Sequence, residues 1–114
     1  PAIINVASIA ALIPSVGQAN YSASKGAILG FTRTLAAEMA PWGVRVNAVA
    51  PGMIESKMVK KVSRAVVRAV TSTIPLRRLG KCEEVANTIV FLSSSASSYI
   101  VGQTIVIDGG LVMR

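Results

Sequence analysis

The sequence is short of the residue types on which several common chemistries depend. Its 114 residues contain no histidine, one cysteine and five acidic residues. Without histidine, the Ser-His-Asp arrangement of many hydrolases cannot form, and one cysteine among scattered carboxylates predicts no metal site. Cys82 cannot form an internal disulfide, which predicts a reducing, cytoplasmic compartment. An organelle-targeting peptide upstream of Pro1 is compatible with the same residues.

Long apolar runs and glycine-rich loops are also missing. No stretch approaches the roughly 18 to 20 apolar residues of a membrane-spanning helix, so no membrane span is predicted. No glycine-rich phosphate loop opens a helix, because Gly26 and Gly30 fall inside one, whereas Gly109 and Gly110 follow a strand. The aromatic side chains are two tyrosines, two phenylalanines and one tryptophan. Such a scattered set provides no stacking platform, which argues against nucleic acid as a partner.

Positive charge, by contrast, is plentiful and unevenly placed. The net charge is +7, and eight of the twelve basic residues fall between positions 57 and 81 with no acidic residue among them. They are Lys57, Lys60, Lys61, Arg64, Arg68, Arg77, Arg78 and Lys81. The stretch predicts a local positive field that attracts an acidic protein, a phosphate-bearing substrate or nucleic acid. A solvated helix face is the alternative interpretation of the same residues.

Hydrophobic periodicity predicts strands that alternate with helices. Short β-branched runs predict strands over residues 2–7, 44–50 and 104–107, and we expect the first two to be buried on both faces. Apolar residues at helical spacing predict helices over residues 19–39, 58–70 and 81–92. This alternation predicts an α/β fold with a parallel sheet and right-handed crossovers. Three strands make half of a doubly wound sheet, in a single partial domain over residues 1–114.

Tyr21 and Lys25 are the first candidates for chemistry. They are four residues apart on the predicted helix, so their side chains lie one turn apart on the same face. A phenol has an unperturbed pKa of about 10, and a nearby ammonium favours its phenolate form. Such a pair suits proton transfer to or from a carbonyl or alcohol oxygen. Taken alone, the spacing fits an ordinary solvated pair equally well.

Two further candidates follow strands of the predicted sheet. Ser8 comes after the first strand, and Pro51-Gly52 ends the second. The carboxyl ends of parallel strands meet at one edge of a sheet, where open α/β folds bind their ligands. We therefore expect Ser8 and Gly52 to lie near each other, with the Ser8 hydroxyl able to hydrogen-bond a substrate oxygen. Turn formation is the alternative role for each of them.

Four ordered blocks of sequence carry a resemblance to a known family. They are IINVAS ending at Ser8, GQANYSASKGA at 17–27, RVNAVAPGMIES at 45–56 and YIVGQTIVIDGG at 99–110. In this order they resemble the short-chain dehydrogenase/reductase family, and most closely its 3-oxoacyl-acyl-carrier-protein reductases. The resemblance implies the C-terminal half of a Rossmann-type doubly wound sheet. It also implies NAD(P)-dependent oxidoreduction of a carbonyl or alcohol, as in the reduction of 3-oxoacyl thioesters for fatty acid biosynthesis.

The resemblance also assigns roles to individual residues. It implies that Tyr21 donates the proton in reduction, that Lys25 holds the nicotinamide ribose and that Ser8 orients the substrate oxygen. The implied cofactor-binding residues are Tyr21, Lys25, Pro51, Gly52, Ile54 and Ser56, with Ser56 near the cofactor phosphates. NADP(H) is favoured over NAD(H), although the residue that discriminates between them in this family precedes the first strand seen here.

The resemblance also implies a substrate and an oligomeric state. The substrate is expected to be a small molecule or an acyl group on a carrier protein, and helix 19–39 and strand 104–107 are expected to form a homodimer or homotetramer. The family's glycine-rich cofactor loop would precede residue 2, which predicts an inactive fragment or half-protein whose first strand has an open apolar edge. A non-catalytic oligomerisation module, and a dehydrogenase for steroids, sugars or hydroxy acids, are the alternatives.

Overall fold

A three-stranded parallel sheet forms the centre of the molecule. The computed structural model describes residues 1–57 and 61–113. The sheet contains β1 (Ala2–Val6), β2 (Arg45–Pro51) and β3 (Thr104–Ile107), in the spatial order β1-β2-β3. Ala2 lies opposite Arg45, and Ala48 lies opposite Thr104. The three predicted strands and their parallel arrangement are therefore confirmed, with bounds that differ by one residue at most.

Within the described ranges, three α-helices connect and flank the strands, α1 (Ala19–Met39), α2 (Arg64–Thr71) and α3 (Cys82–Ser93). The predicted bounds of α1 are confirmed, because a short 3-10 turn containing Pro41 follows it and Gly43 then takes a left-handed conformation (φ 76°). Proline and left-handed glycine both stop helices. None of the helices in the described ranges has the length and apolarity needed to cross a bilayer.

The second helix begins later than the periodicity predicts. We expected a helix over residues 58–70, of which residues 58–60 lie outside the described part of the chain. Residues 61–63 precede α2, because the Ser63 side chain accepts a hydrogen bond from Val66 N and so caps a helix that starts at Arg64. The apolar face is as predicted, since Val66 and Val70 line the same pocket.

The two longer strands differ in burial. In β2, Val46, Ala48, Val49 and Ala50 are completely buried, as predicted. In β1 the prediction of burial on both faces is wrong, because Ile3 and Val6 are 40% and 47% exposed. Among the described residues, β2 lies between two strands, whereas β1 pairs with β2 alone.

Buried polar side chains tie the helix and loops to the sheet. Asn5 Nδ2 donates to Thr32 Oγ1 at 3.0 Å, and Thr32 Oγ1 donates to Ile28 O at 2.7 Å. Thr32 is completely buried, so this link fixes α1 against β1. On the other side of the sheet, Asn47 Oδ1 accepts from Gln103 N at 2.9 Å and holds the segment that leads into β3. These contacts set the helix at the sheet edge where the candidate site lies.

Candidate functional site

A cleft of about 260 Å³ opens at the carboxyl edge of the sheet. The loop after β1, the start of α1, the loop after β2 and the C-terminal segment all contribute to its lining. Among the lining residues are Ser8, Gln18, Tyr21, Gly52, Met53 and Leu111. The parallel sheet brings these segments together at one edge, although Ser8 and Leu111 are far apart in sequence.

Ser8 stands immediately beyond the anchored end of β1. The preceding residue, Ala7, is buried and donates from its N–H to Val49 O at 2.8 Å. Ser8 is extended and caps a short 3-10 turn, where its Oγ accepts from Ala10 N at 3.2 Å. A hydroxyl that accepts one bond still has its own O–H to donate. Ser8 is therefore held in place with a donor available to the cleft.

Tyr21 and Lys25 lie side by side on the first two turns of α1. Lys25 Nζ is 5.7 Å from the centroid of the Tyr21 ring, which is a cation–π distance. The same Nζ donates to Val6 O at 3.3 Å, so the ammonium also contacts the end of β1. Tyr21 is 42% exposed and can reach a bound molecule from its position in the cleft. The prediction that Tyr21 and Lys25 share one helix face is confirmed.

The loop after β2 forms the opposite wall of the cleft. Pro51 ends the strand opposite Ile107, and Gly52 N donates to Ile107 O at 2.8 Å. A Cβ added to Gly52 would lie 2.6 Å from Cβ of Asp108, a separation that atoms do not tolerate. Position 52 therefore needs glycine, because Asp108, which follows β3, lies too close to it for a side chain. We call residues 52–55 the loop wall.

Asp108 shapes the C-terminal border of the cleft. Its carboxylate accepts from Gly110 N at 3.0 Å and from Val112 N at 2.7 Å, closing a turn after β3. Gly109 and Gly110 both have positive φ values of 69° and 91°, which glycine adopts without strain. The turn directs Leu111 into the cleft.

The remaining predicted residues lie beyond the cleft, along the loop wall and after it. Ile54 pairs with Gly80 and borders an apolar pocket of about 300 Å³ that Val62, Val66 and Val70 also line. Ser56 borders a separate, more polar depression with Lys57 and Lys81. The structure thus brings Ser8, Tyr21 and Gly52 into one cleft, sets Lys25 and Pro51 beside it, and separates Ile54 and Ser56 from it.

The sequence prediction missed several lining residues, among them Gln18, Met53 and Leu111. Gln18 is three residues before Tyr21, and this one-turn spacing could have identified it. Met53 follows Pro51-Gly52 directly, and its position next to these predicted residues could have identified it. Leu111 has no such signal, because only the turn that Asp108 closes brings it to Ser8.

Comparison with known proteins places this cleft in a family. The family model described as enoyl-(acyl carrier protein) reductase matches residues 1–112. The chain belongs to the short-chain dehydrogenase/reductase family. Among curated members, a 3-oxoacyl-[acyl-carrier-protein] reductase of Thermotoga maritima is 50% identical over 111 residues, which are 97% of this chain and 45% of that protein. The chain therefore spans about half the length of the curated short-chain dehydrogenase/reductase that it matches.

Solved structures of the same family superimpose closely. A 3-oxoacyl-[acyl-carrier protein] reductase from Brucella melitensis has a TM-score of 0.93 and 42% identity, covering 99% of this chain and 42% of that one. A second such reductase from Brucella melitensis, solved with bound NAD, has a TM-score of 0.88 and 39% identity over 99% of this chain and 41% of that one. The three parallel strands and their helices are thus part of the Rossmann-type fold of short-chain dehydrogenase/reductases.

Proposed function

We propose that the protein carrying this chain is an NAD(P)-dependent oxidoreductase that reduces 3-oxoacyl thioesters, with Ser8, Tyr21 and Lys25 as catalytic residues. The observation that carries the proposal is the Lys25 ammonium, 5.7 Å from the Tyr21 ring, beside a cleft that Ser8 also lines. The similarity of this chain to 3-oxoacyl-[acyl-carrier-protein] reductases supplies the substrate class. We place this reaction in fatty acid biosynthesis, and we expect the isolated 114 residues to be inactive.

The catalytic groups divide the work of carbonyl reduction. The Tyr21 hydroxyl donates its proton to the carbonyl oxygen as that oxygen gains negative charge. The phenolate left behind belongs to the ring over which the Lys25 ammonium lies, and opposite charges attract. The Ser8 O–H donates a hydrogen bond to the same carbonyl oxygen and orients it. The bound nicotinamide supplies the hydride in this chemistry.

The described residues fit one end of a nicotinamide cofactor. Lys25 Nζ makes one hydrogen bond among the described residues, to Val6 O, and an ammonium has further donors for ribose hydroxyls. Gly52 presents backbone without a side chain to the cleft, which allows a flat ring to approach. We assign Pro51 and Ile54 to the wall beside the nicotinamide and Ser56 to the phosphates. NADP(H) is the proposed form, and the ratio of kcat/KM for NADPH and NADH tests it.

An acyl group on a carrier protein is the proposed substrate. Val66, Val70 and Met53 line an apolar pocket next to the loop wall, and an acyl chain suits such a surface. Arg64 and Arg68 border an adjoining open depression and are exposed, so they can meet an acidic protein. Carrier-bound substrate should therefore show a lower KM than the same acyl group on a small thiol, and the difference should shrink as salt is raised.

The proposal is tested in the full-length natural protein that carries these residues. NADPH oxidation should accompany addition of an acetoacetyl thioester, and Tyr21→Phe should lower kcat by about 10² to 10⁴-fold. A crotonyl thioester tests the enoyl reduction that the family model's description names. Full activity in Tyr21→Phe, or oxidation of NADPH only with the crotonyl thioester, would overturn the assignment. Steroid, sugar and hydroxy acid substrates complete the panel of alternatives.

An exposed apolar side chain on α1 supports a proposal about how the protein assembles. Phe31 on α1 is 57% exposed, a large apolar side chain that a second copy would cover. We assign the interfaces of a homodimer or homotetramer to α1 and β3, with residues 1–114 as one partial domain and the cytoplasm as the compartment. Light scattering of the full-length protein and its Phe31→Glu variant tests the assembly, because a charge there should release monomers.

A non-catalytic interaction module is the second candidate. The exposed Phe31 on α1 favours it. Calorimetric titration of the 114-residue chain with NADPH separates the two. Binding of the cofactor would remove the reason for the interaction module, whereas self-association without cofactor binding would support it.

A further inference from the structure

The loop wall is attached to a turn that precedes α3. Gly80 N donates to Met53 O at 2.9 Å, and Glu55 N donates to Gly80 O at 2.8 Å. These two hydrogen bonds form a parallel bridge in which Ile54 pairs with Gly80. Because Gly52 and Met53 line the cleft, the position of this turn determines the position of the wall that faces Tyr21.

An ion pair closes the same turn. Arg78 Nη1 donates to Glu84 Oε1 at 2.7 Å and Nη2 donates to Oε2 at 2.9 Å, while Lys81 N donates to Oε1 at 3.0 Å. The Glu84 carboxylate therefore holds residues on both sides of Gly80. The hydrogen bonds from Arg78 and from Lys81 N lower the pKa of Glu84 to about 2. Glu84 belongs to the first turn of α3, a helix that packs on β1 and β2, so the turn is tied to the sheet.

Gly80 is fitted closely against the wall. A Cβ added at this position would lie 2.7 Å from Ile54 Cδ1. The φ angle of Gly80 is outside the left-handed region, so its backbone conformation is open to alanine. The Ile54 side chain, and not the backbone, is therefore what an added Cβ would displace here.

We infer that Arg78 and Glu84 are positioning residues for cofactor binding. Their ion pair holds the Gly80 turn, and the turn holds residues 52–55 at the separation from Tyr21 and Ser8 that the nicotinamide needs. This inference rests on the proposed function. Exposed ion pairs contribute little to stability, so the effect on cofactor binding should exceed the effect on folding. The bidentate geometry needs a guanidinium, because lysine provides only a point charge.

Substitution of Gly80 tests the contact with the wall. Gly80→Ala should raise the KM for NADPH by up to roughly tenfold, because the added Cβ must displace Ile54 Cδ1 and with it part of the loop wall. Ile54→Val removes the Cδ1 atom that the new Cβ meets. The double variant Gly80→Ala with Ile54→Val should therefore bind NADPH more tightly than Gly80→Ala alone. An equal or weaker affinity in the double variant would overturn the steric part of the inference.

Substitution of the ion pair tests positioning directly. Arg78→Lys, Arg78→Gln and Glu84→Gln should each raise the KM for NADPH by about threefold to tenfold, with kcat and the melting midpoint near those of the parent protein. Glu83→Gln is the matched control, because Glu83 is an exposed carboxylate in the same first turn of α3. An unchanged KM in Arg78→Gln and Glu84→Gln, or the same rise in Glu83→Gln, would contradict the inference.

Amide hydrogen exchange provides a readout that needs no activity. In Arg78→Gln and Glu84→Gln, the amides of Glu55 and Gly80 should exchange faster, while the Ala7 amide, bonded to Val49 O, should not change. If the parent protein failed to reduce any 3-oxoacyl thioester, the proposed function would fail and the exchange result would still decide the inference. If the parent were active and the Glu55 and Gly80 amides were unaffected, only the inference would fail.

Discussion

The two walls of the cleft are built on different principles. The helix wall carries Tyr21 and Lys25, with Ser8 beside them, and each of these groups can donate or hold a proton. At the cleft, the loop wall contributes Gly52 and Met53, which have no ionisable group. The loop wall is instead held by close contacts of glycines and by the ion pair that closes the turn behind it. Chemistry and positioning are thus assigned to separate elements, and substitutions on the two walls should affect different kinetic constants.

After Tyr21, Lys25 is the residue whose substitution should lower kcat most. Lys25→Met removes the charge beside the phenol and the donor to Val6 O, so kcat of the full-length protein should fall by about 10²-fold or more. Steady-state rates with NADPH and an acetoacetyl thioester measure it. Arg33→Met is the control, because it removes an exposed cation from the same helix and should leave kcat unchanged. A change in cofactor KM alone would move Lys25 to the positioning group.

Ser8 should give the next largest effect. Ser8→Ala removes one hydrogen-bond donor to the carbonyl oxygen, and loss of one such donor costs about 10² to 10³-fold in kcat in other enzymes. Because Ser8 also caps a 3-10 turn, Ser8→Thr keeps the hydroxyl and should retain most of the rate. Ser93→Ala, which removes a hydroxyl at the end of α3, controls for the substitution itself. Equal rates in Ser8→Ala and Ser8→Thr would contradict the role of the hydroxyl.

Substitution of Gly52, on the loop wall, should lower the free energy of unfolding. Gly52→Ala forces a Cβ to within 2.6 Å of Asp108 Cβ, and such overpacking costs about 1 to 3 kcal/mol in the free energy of unfolding. Gly30→Ala is the control, because nothing lies within 4 Å of its added Cβ and alanine favours a helix by about 0.5 to 1 kcal/mol. Urea denaturation measures both. If Gly52→Ala were neutral, the loop wall would not be held as closely as its contacts indicate.

The smallest expected effect is on acid stability. The folded-state pKa of Glu84 is about 2, below its ordinary value of 4.5, so its stabilising contribution is present above pH 4.5 and is lost as the pH falls toward 2. Glu84→Gln should therefore flatten the decline in stability between pH 4.5 and 2, and Glu83→Gln should not. Thermal unfolding across this pH range measures the difference. Parallel acid profiles for Glu84→Gln and the parent would contradict the ion pair.

Much of the fold follows from local patterns in the sequence. The β-branched runs and the helical spacing of apolar residues predict the three strands and three α-helices of the described ranges, although α2 begins later than predicted. Tyr21 and Lys25 were predicted to be neighbours because spacing on a helix is local information. The burial of β2 was predicted for a similar reason, since its apolar run is continuous. The same pattern misled us at β1, because an apolar run does not say how many strands will lie beside it.

The loop wall shows what local patterns do not contain. The pairing of Ile54 with Gly80 joins residues that lie on either side of α2 in the sequence. Arg78 belongs to a basic run that predicts a solvated face or a partner-binding field, yet it pairs with Glu84. Leu111 enters the cleft only because Asp108 closes a turn. Each of these contacts depends on tertiary geometry, which brings distant residues together without a repeated spacing.

The separation of chemistry from positioning is tested most directly by comparing Tyr21→Phe with Gly80→Ala in the full-length protein. NADPH affinity is measured by titration and turnover is measured under saturating cofactor. We predict that Tyr21→Phe binds NADPH like the parent and turns over about 10² to 10⁴-fold more slowly, whereas Gly80→Ala binds NADPH roughly tenfold more weakly and retains most of its turnover. Loss of cofactor affinity in Tyr21→Phe, together with unchanged affinity in Gly80→Ala, would contradict it.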